Sequence, residues 1–482
     1  MKKLMHFIAG EFTSPDLNEY IPVIEPATGK PYASLARGNA NDVDRAIRSA
    51  EAAFPAWSSL SPGDRSEYLH ALARELDNRM EDFIQAESKD TGKSVQLARE
   101  IDIPRAVNNF KFFAQLIIGE ESEAHTLPGT INYTHRKALG PVACISPWNL
   151  PIYLLSWKIA PALASGNTVV AKPSEVTPYT AWMLGEVCQA AGLPPGVLNI
   201  VQGFGHEVGQ ALTEHEKIQA ISFTGGTATG KKIAETAAPA FKKISLELGG
   251  KNPNIIFADA PYEEMLATTV RSSFANQGEI CLCGSRILIQ DEIYEQFKKD
   301  FIRKVRGIKI GDPTDPNTFM GAIVSKEHFQ KIQTYIDLAV EEGGHILTGG
   351  KVIEGQGRCK GGYFIEPTVI EGLSQSCRTN QEEIFGPVVT LQAFSDEIEA
   401  MELANDTIYG LSATIWTENL SRAHRIAEKI EAGIVWVNTW LHRDLRTPFG
   451  GTKQSGMGRE GGYHALHFFT EPKNICIKYD SI

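Results

Sequence analysis

The sequence predicts an α/β fold with parallel β-sheets, and three features support this prediction. Runs of β-branched residues alternate with helical segments from 140 to 260, a pattern typical of βαβ units. A second block with the same alternation extends from about 262 to 440. The 482-residue chain, 42% hydrophobic, is long enough for about three domains of roughly 150 residues each.

The N-terminal quarter is predicted to be mainly helical. Apolar residues recur at three- and four-residue spacing in 42–57, in 62–90 and around Arg105. The first residues, MKKLMHFIAGEF, are basic like the start of a signal peptide, but His6 and Glu11 interrupt the apolar run. We therefore expect a surface strand at the N-terminus.

Eight segments are expected to form the strands of the two α/β blocks. They are NTVVAKP, GVLNIV, QAISFTG and PNIIFAD in the first block, and SRILIQ, PVVTLQAF, LSATIW and GIVWVN in the second. The apolar stretch from Pro141 to Ala171 approaches the length of a membrane span, but three prolines and Lys158 interrupt it. We expect a buried strand, a turn, a helix and a second strand there.

Two segments outside both blocks also have strand-like alternation. They are 130–139 and 473–479, and they are predicted to pair with each other or with another subunit. The glycine-rich segment 448–462 predicts a long ordered loop. The formal net charge of −11 and the lack of a long basic run argue against nucleic-acid binding.

Seven scattered cysteines do not suggest a disulfide framework, and a reducing cytoplasm is the simplest location for this chain. Cys281 and Cys283 lie two residues apart in FANQGEICLCGSRI, without a second Cys or His pair at metal-ligand spacing. A disulfide between residues this close is geometrically awkward. A reactive thiol and two buried thiols remain as alternatives, and the local sequence alone favours the buried pair.

Two glycine-rich segments suggest phosphate binding. FTGGTATGKK nearly matches a nucleotide-binding loop, but Lys232 replaces the hydroxyl residue that binds magnesium, which disfavours an NTPase. GFGHEVG also follows a strand, and each segment has a tight turn as its alternative. Glu175, just past a strand, suits a ribose hydroxyl together with Lys172, although a loop carboxylate is more often simply solvated.

Four segments together resemble the signature set of the aldehyde dehydrogenase superfamily. They are ISPWNLP, LELGGKNP, FANQGEIC and EEIFGP, and they follow the family's order and spacing from about residue 7 to the end. The resemblance implies an aldehyde dehydrogenase-like fold with a Rossmann-type NAD-binding domain, a second α/β catalytic domain and a small β oligomerisation flap. The expected ranges are 1–124 and 143–249 for the first, 250–445 for the second, and 125–142 and 464–482 for the flap.

The resemblance also implies roles for individual residues. Cys281 would be the nucleophile, Asn149 with the Cys281 N–H would bind the oxyanion, and Glu247 would be the base. The implied cofactor is NAD, with no metal. Its expected contacts are Ser146, Pro147, Trp148, Lys172, Ser174, Glu175, Gly205, Phe223, Gly225, Gly226, Leu248, Glu383 and Phe385. Gly226 stands where the family usually has serine. A homodimer or homotetramer is implied as well.

Within the family, 102–114 and 438–451 most resemble the 2-aminomuconic and 2-hydroxymuconic semialdehyde dehydrogenases. Those enzymes hold the substrate carboxylate with one arginine from each segment, here Arg105 and Arg443. In a net-acidic protein an anionic aldehyde needs such a local guanidinium fork. The alternatives are a betaine aldehyde, which needs an aromatic cage, and a non-catalytic binding protein on the same scaffold. Trp157 and Trp440 are the candidates for that cage.

Overall fold

The computed structural model describes residues 1–479 and contains two large sheets surrounded by helices. The helices are α1 (Ala40–Ser58), α2 (Pro62–Asn78), α3 (Met80–Thr91), α4 (Val95–Leu97), α5 (Ile103–Leu116), α6 (Pro151–Ala164), α7 (Tyr179–Ala190), α8 (Gln210–Glu214), α9 (Thr227–Ala237), α10 (Tyr262–Phe274), α11 (Asp291–Arg306), α12 (Lys326–Glu341), α13 (Arg378–Gln381), α14 (Glu397–Asn405), α15 (Leu420–Lys429) and α16 (Gly462–Phe468). Within the described residues, no helix is both long enough and apolar enough to cross a membrane.

The strands are short, and most belong to the two large sheets. They are β1 (Lys2–Leu4), β2 (His6–Ile8), β3 (Glu11–Thr13), β4 (Tyr20–Glu25), β5 (Lys30–Ala36), β6 (Ala124–Leu127), β7 (Thr130–Ala138), β8 (Pro141–Ile145), β9 (Thr168–Lys172), β10 (Leu198–Ile200), β11 (Ala220–Thr224), β12 (Lys243–Glu247), β13 (Asn252–Ile256), β14 (Gly284–Gln290), β15 (His345–Thr348), β16 (Val352–Ile353), β17 (Phe364–Ile365), β18 (Thr368–Glu371), β19 (Val388–Phe394), β20 (Tyr409–Gly410), β21 (Ser412–Trp416), β22 (Ile434–Val437), β23 (Thr452–Lys453), β24 (Gly456–Met457) and β25 (Thr470–Lys478).

The first large sheet has the Rossmann-type strand order. Its sequence across the sheet is β24-β12-β11-β8-β9-β10-β2-β3, and β8 to β12 run parallel. Numbered along the chain, these five strands follow the order 3-2-1-4-5, which reverses between β8 and β11. In such sheets the ligand crevice lies beyond the carboxyl ends of the strands at that reversal.

Both faces of this sheet are covered by helices, which explains its nearly continuous apolar strands. On β9, Val169 and Ala171 pack into the core shared with α6 and α7, whereas Val170 packs against α1, α8 and α9. The expected strand, turn, helix and strand between Pro141 and Ala171 are confirmed as β8, α6 and β9, and every residue of α6 is buried.

The second large sheet has the order β15-β18-β19-β14-β13-β21-β22 and is parallel except for β15. Helices α10 and α11 cover one face, and α14 and α15 cover the other. All eight predicted strands are present. The assignment of PNIIFAD to the first block was wrong, because β13 pairs with β14 and β21 of the second sheet.

The third unit is the small sheet β25-β7-β6. Strand β25 pairs antiparallel with β7 from Thr470 opposite Ala138 to Lys478 opposite Thr130, which confirms the first of the two expected pairings. Pro141 begins β8 of the large sheet, and Leu466 packs in the first core, so this sheet is shorter than the expected flap. Residues 480–482 of that flap lie outside the described residues, and the domain division stays a prediction.

One local expectation in the N-terminal region was wrong, and another was confirmed with a break. The surface strand is instead three short strands, and all of β2 is buried because it extends the large sheet beside β10. The predicted helical segment 62–90 is confirmed as two helices, α2 and α3, which are separated at Arg79, whose backbone is not helical (φ −109°, ψ 20°). Arg79 ends α2, precedes α3 and forms an ion pair with Glu186 at 2.5 Å.

Candidate active site

The candidate site lies where the carboxyl ends of the first sheet meet the loops that enter the second. Asn149 follows β8 and Glu247 ends β12, whereas Cys281 and Glu383 precede β14 and β19. Hydrogen bonds join the two sides. The Asn149 Nδ2 donates to the carbonyl oxygen of Glu279 at 2.9 Å, and the Gly250 N–H donates to the Glu383 carboxylate at 2.9 Å.

The loop that carries Cys281 is held in an unusual backbone conformation. Asn276 and Gln277 both have positive φ, 51° and 56°, which is unfavourable for residues other than glycine and is tolerated where the surroundings enforce it. The Asn252 Nδ2 donates to the carbonyl oxygens of Cys281 at 2.7 Å and of Cys283 at 3.0 Å. This amide fixes the direction in which the loop presents its thiols.

The two cysteines of this loop differ in their surroundings. Cys283 is 7% exposed and packs in an apolar cluster, whereas Cys281 is half-buried at the edge of that cluster. Burial, followed by the charges of Glu383 and Glu247, raises the pKa of Cys281, and burial raises the pKa of Cys283 to about 12. Both are therefore thiols at neutral pH, so that a nucleophilic role for Cys281 requires a base.

Asn149 and the Cys281 backbone offer free hydrogen-bond donors. An asparagine amide has two N–H groups, and only one is used by the Glu279 carbonyl. The backbone N–H of Cys281 makes no hydrogen bond within residues 1–479. One donor belongs to the residue that carries the thiol, and the other is joined to the same loop two residues earlier, an arrangement suited to stabilising an oxyanion formed by attack on a carbonyl.

Glu247 is buried, and neither carboxylate oxygen makes a hydrogen bond within residues 1–479. Burial, followed by the charge of Glu460, raises its pKa well above the usual range, against the opposing charge of Lys158. Gly450 leaves space here, because a Cβ at its backbone (φ 150°) would lie 2.7 Å from Oε1 of Glu247. A carboxyl group with a raised pKa and free oxygens is suited to general-base catalysis.

A buried ion pair next to Glu247 was missed in the sequence analysis. Lys158 of α6 is 1% exposed and donates to Oε1 of Glu460 at 2.6 Å and to Oγ of Ser222 at 3.1 Å. A lysine inside an otherwise apolar helix indicates a buried partner, since such a charge is almost never left unpaired. That signal does not identify Glu460, which lies 302 residues away in the glycine-rich loop.

The predicted cofactor residues gather along the same edge of the first sheet. Ser146, Pro147, Trp148, Lys172, Ser174, Glu175, Gly205, Phe223, Gly225, Gly226 and Leu248 lie at or just beyond the carboxyl ends of its parallel strands. Lys172 donates to the Glu175 carboxylate at 2.7 Å. Burial raises the pKa of Glu175, but Lys172 and the Gly205 N–H together lower it below the usual value. Contacts of these residues with a cofactor stay a prediction.

The other two predicted cofactor residues, Glu383 and Phe385, face this edge from the segment before β19 of the second sheet. The ring of Phe385 lies 5.2 Å from that of Trp148 in an edge-on arrangement. His328, which the sequence analysis missed, is 2.6 Å from the Phe385 carbonyl oxygen and 4.9 Å from the Trp148 ring. Burial lowers the pKa of His328 to about 4, so its ring is neutral at pH 7.

Arg105 and Arg443 line one cavity of about 830 Å³, next to the Cys281 loop. The cavity lies between α5, Ile280 and the loop 440–445. Arg443 donates to the Tyr153 hydroxyl at 3.0 Å, and the Arg105 guanidinium lies 5.6 Å from the Tyr153 ring centre. The structure therefore brings together the two arginines that the sequence places 338 residues apart.

A third arginine, missed in the sequence analysis, lines the same cavity. Arg271 lies in the last turn of α10 and donates to the carbonyl oxygen of Trp440 at 3.4 Å. Within the described residues, Arg105, Arg271 and Arg443 form no ion pair, and Glu100 is the one acidic residue in the cavity wall. The cavity is thus cationic in a chain whose formal net charge is −11.

This chain is similar to known aldehyde dehydrogenases over nearly its whole length. The model of the aldehyde dehydrogenase family matches residues 12–475. The 2-aminomuconic semialdehyde dehydrogenase of Danio rerio is 49% identical over 99% of this chain and 98% of its own. The 2-hydroxymuconic semialdehyde dehydrogenase of Pseudomonas sp. (strain CF600) is 46% identical over 99% of this chain and 100% of its own. A betaine aldehyde dehydrogenase from Staphylococcus aureus was solved with NAD+. It superposes with a TM-score of 0.96 at 38% identity, over 99% of this chain and 96% of its own. The chain belongs to the aldehyde dehydrogenase family.

Proposed function

We propose that this protein oxidises 2-aminomuconate or 2-hydroxymuconate 6-semialdehyde to the corresponding acid, with NAD as cofactor. The observation that carries the substrate assignment is the cavity next to the loop of Cys281, whose three arginines have no carboxylate partner within residues 1–479. Its volume of about 830 Å³ is within the usual range for a small-molecule site. Similarity to semialdehyde dehydrogenases over nearly the whole chain supports the same assignment.

The first sheet fits a dinucleotide. Gly205 and Gly226 have open space where a Cβ would stand, so a phosphate can approach the backbone closely. Gly226 also precedes α9, whose amino terminus favours an anion. The Glu175 carboxylate and the Lys172 ammonium supply the acceptor and donor that ribose hydroxyls need. When bound, NAD accepts the hydride that leaves the substrate carbon.

Cys281 would form the covalent intermediate. Its Sγ adds to the aldehyde carbon after losing its proton to a base, and the carbonyl oxygen becomes an oxyanion. Asn149 Nδ2 and the Cys281 N–H would stabilise this oxyanion, and a single donor of this kind contributes about 3 kcal/mol. Loss of hydride from the carbon then leaves a thioester on Cys281.

Glu247 would remove a proton from the water that hydrolyses this thioester. Its free oxygens can accept the proton, and its raised pKa brings it closer to the pH at which it works. Hydrolysis breaks the bond between Sγ and the acyl carbon, releases the carboxylic acid and restores the thiol of Cys281.

Arg105 and Arg443 would hold the substrate carboxylate at the far end from the aldehyde. Guanidinium groups match a carboxylate through paired hydrogen bonds, and Tyr153 orients Arg443 for this contact. Arg271 adds positive charge to the same wall. A cavity with this charge attracts an anion although the protein as a whole repels it.

The aromatic cage that betaine aldehyde requires is poorly supported, because both candidate tryptophans already contact an arginine. The Trp157 ring already faces the Arg443 guanidinium at 5.3 Å, and the Trp440 ring faces that of Arg271 at 5.6 Å. A quaternary ammonium between these rings would therefore meet two like charges. A non-catalytic role is disfavoured because the thiol, the amide donor and the free carboxylate converge on one site.

We expect Arg105→Ala and Arg443→Ala each to lower kcat/KM for a muconate-type semialdehyde about tenfold to a hundredfold. A hydrogen bond to a charged group contributes roughly 1.5 to 3 kcal/mol, which corresponds to that range. A neutral aldehyde of similar length has no carboxylate to bind, so its kcat/KM should barely change. The measurement is steady-state NADH absorbance with both aldehydes.

Arg446→Ala is the matched control for the two arginine variants. Arg446 lies in the same loop but forms an ion pair with Asp444 at 2.5 Å and does not line the cavity. This substitution should leave kcat/KM unchanged for both aldehydes. The substrate assignment is wrong if the unmodified enzyme prefers neutral or cationic aldehydes, whereas the family assignment would stand.

We expect the unmodified enzyme to use NAD more efficiently than NADP. The Glu175 carboxylate, kept ionised by Lys172, would repel a 2′-phosphate. Glu175→Gln should therefore narrow the gap in kcat/KM between the two cofactors while the KM of the aldehyde stays the same. Equal efficiency with both cofactors before any substitution would contradict the placement of Glu175.

The β25-β7-β6 sheet is proposed to mediate assembly into a homodimer or homotetramer. All four residues of β6 are exposed, and β6 and β25 are edge strands with unpaired backbone groups. Covering such edges with a second subunit satisfies those groups.

A further inference from the structure

Lys93 connects two parts of the proposed active site that are distant in the fold. Its side chain is completely buried, and its Nζ donates to the backbone carbonyl oxygen of Asn149 at 2.9 Å. The same Nζ forms an ion pair with Asp102. Asp102 ends the π-helical turn Ala98–Asp102, directly before the helix that carries Arg105.

The Lys93 contact is part of a network that immobilises Asn149. The carbonyl oxygen of Asn149 also accepts from Nδ2 of Asn276 at 3.2 Å. Both asparagine side chains donate to the Glu279 carbonyl oxygen, Asn149 at 2.9 Å and Asn276 at 3.1 Å. The backbone and the side chain of Asn149 are thus held separately. The bond from Lys93 is the charge-assisted one, and such bonds are roughly twice as strong as neutral ones.

Stability alone does not explain a buried lysine at this position. A buried ion pair is commonly no more stabilising than apolar residues of the same size, because both charges lose their hydration. Glu87 lies in the same buried cluster and accepts from Thr180 at 2.7 Å. The π-helical turn that carries Asp102 is a rare conformation, and such turns occur frequently at functional sites.

We propose that Lys93 is a positioning residue that sets the distance between the oxyanion donor Asn149 and the carboxylate-binding Arg105. This inference rests on the proposed function. A conjugated semialdehyde is rigid, so its aldehyde and carboxylate reach both groups only if the two protein segments keep a fixed separation. A displacement of about 1 Å between reacting groups lowers catalysis on the order of a hundredfold.

The first test replaces the ion pair without leaving an unpaired charge. In an Asp102→Asn background, Lys93→Met removes the donor to the Asn149 carbonyl, whereas Lys93→Gln retains a neutral N–H donor on a side chain one atom shorter. The Met variant should lower kcat for the conjugated semialdehyde by about tenfold to a hundredfold, with the Kd of NAD unchanged. The Gln variant should recover part of that loss. Equal activity of the Met and Gln variants would overturn the proposal.

The second test asks whether Lys93 acts through Asn149. Asn149→Ala alone should lower kcat on the order of 10² to 10³-fold, which leaves a measurable rate. Lys93→Met is then added to Asn149→Ala, again together with Asp102→Asn. The rate should fall by less than about a further twofold, because the effects of two residues that act through the same group do not add. Thr180→Val is the control from the same buried cluster. Its fold-change in kcat should multiply with the fold-change caused by Asn149→Ala, because Thr180 does not act through Asn149.

The possible outcomes separate this inference from the proposed function. Full activity of Asn149→Ala would overturn the oxyanion role of Asn149 and with it this inference, whereas the proposed function fails only if the unmodified enzyme does not prefer muconate-type semialdehydes. If Asn149→Ala is impaired and the Lys93→Met effect multiplies with it, only the role of Lys93 is overturned. If the Met variant does not fold, the same cycle with Lys93→Gln decides between these outcomes.

Discussion

Replacing Cys281 by Ala should abolish aldehyde oxidation, with a loss in kcat on the order of 10⁶-fold, as when other enzymes lose their nucleophile. Replacing Cys283 by Ala should leave most of the activity. The two thiols share one loop, but Cys283 is 7% exposed in an apolar cluster, whereas Cys281 is half-buried beside the free donors of the site. The measurement is NADH formation under saturating aldehyde and NAD.

The thiols can also be distinguished by the pH dependence of alkylation. The thiolate is the reactive form, and burial raises the pKa of Cys281 above its usual range. Alkylation of the enzyme without cofactor should therefore be slow at pH 7 and accelerate about tenfold per pH unit. Peptide mass analysis should show modification of Cys281 before Cys283, with the exposed Cys476 followed separately on its own peptide. Comparable loss of activity in both alanine variants, or survival of Cys281→Ala, would overturn the assignment.

The alternation of strands and helices was sufficient to predict most of this fold. Most of the predicted strands are buried between two helical layers, so their apolar runs are recognisable without knowing their neighbours. The neighbour with which a strand pairs in the sheet cannot be recognised from the strand's own sequence. PNIIFAD was therefore located correctly as β13, but the alternation pattern assigned it to the wrong sheet, although the range 250–445 implied by the family resemblance includes it. Pairing depends on contacts with β14 and β21 that local sequence does not show.

The candidate site was predictable where a motif spans it and not where side chains meet across the fold. The segments around Asn149, Glu247 and Cys281 each have recognisable local sequence. Arg271 lies on an ordinary helix and becomes notable only through the shared cavity wall. The partner of Lys93, Asp102, lies in a π-helical turn. The extra residue of such a turn breaks the period of 3.6 residues on which helix recognition from sequence relies.

Replacing Glu247 by Gln should separate the two halves of the reaction. We expect a fast first turnover of NADH followed by a steady-state rate about 10² to 10⁴-fold below that of the unmodified enzyme. Acylation of Cys281 can proceed, whereas the thioester waits for a water that no carboxylate activates. Stopped-flow absorbance resolves the burst from the steady state, and the burst should correspond to about one NADH per active site.

The pH dependence of the steady state provides an independent check on Glu247. Burial and the charge of Glu460 raise the pKa of Glu247, so its basic form is lost as the pH falls through that raised value and regained as the pH rises. The deacylation rate of the unmodified enzyme should therefore increase with pH over that range, and Glu247→Gln should lack this increase. Loss of the first turnover as well would show that Glu247 also deprotonates Cys281. If neither phase changes, Glu247 is not the base, and another group must activate the water.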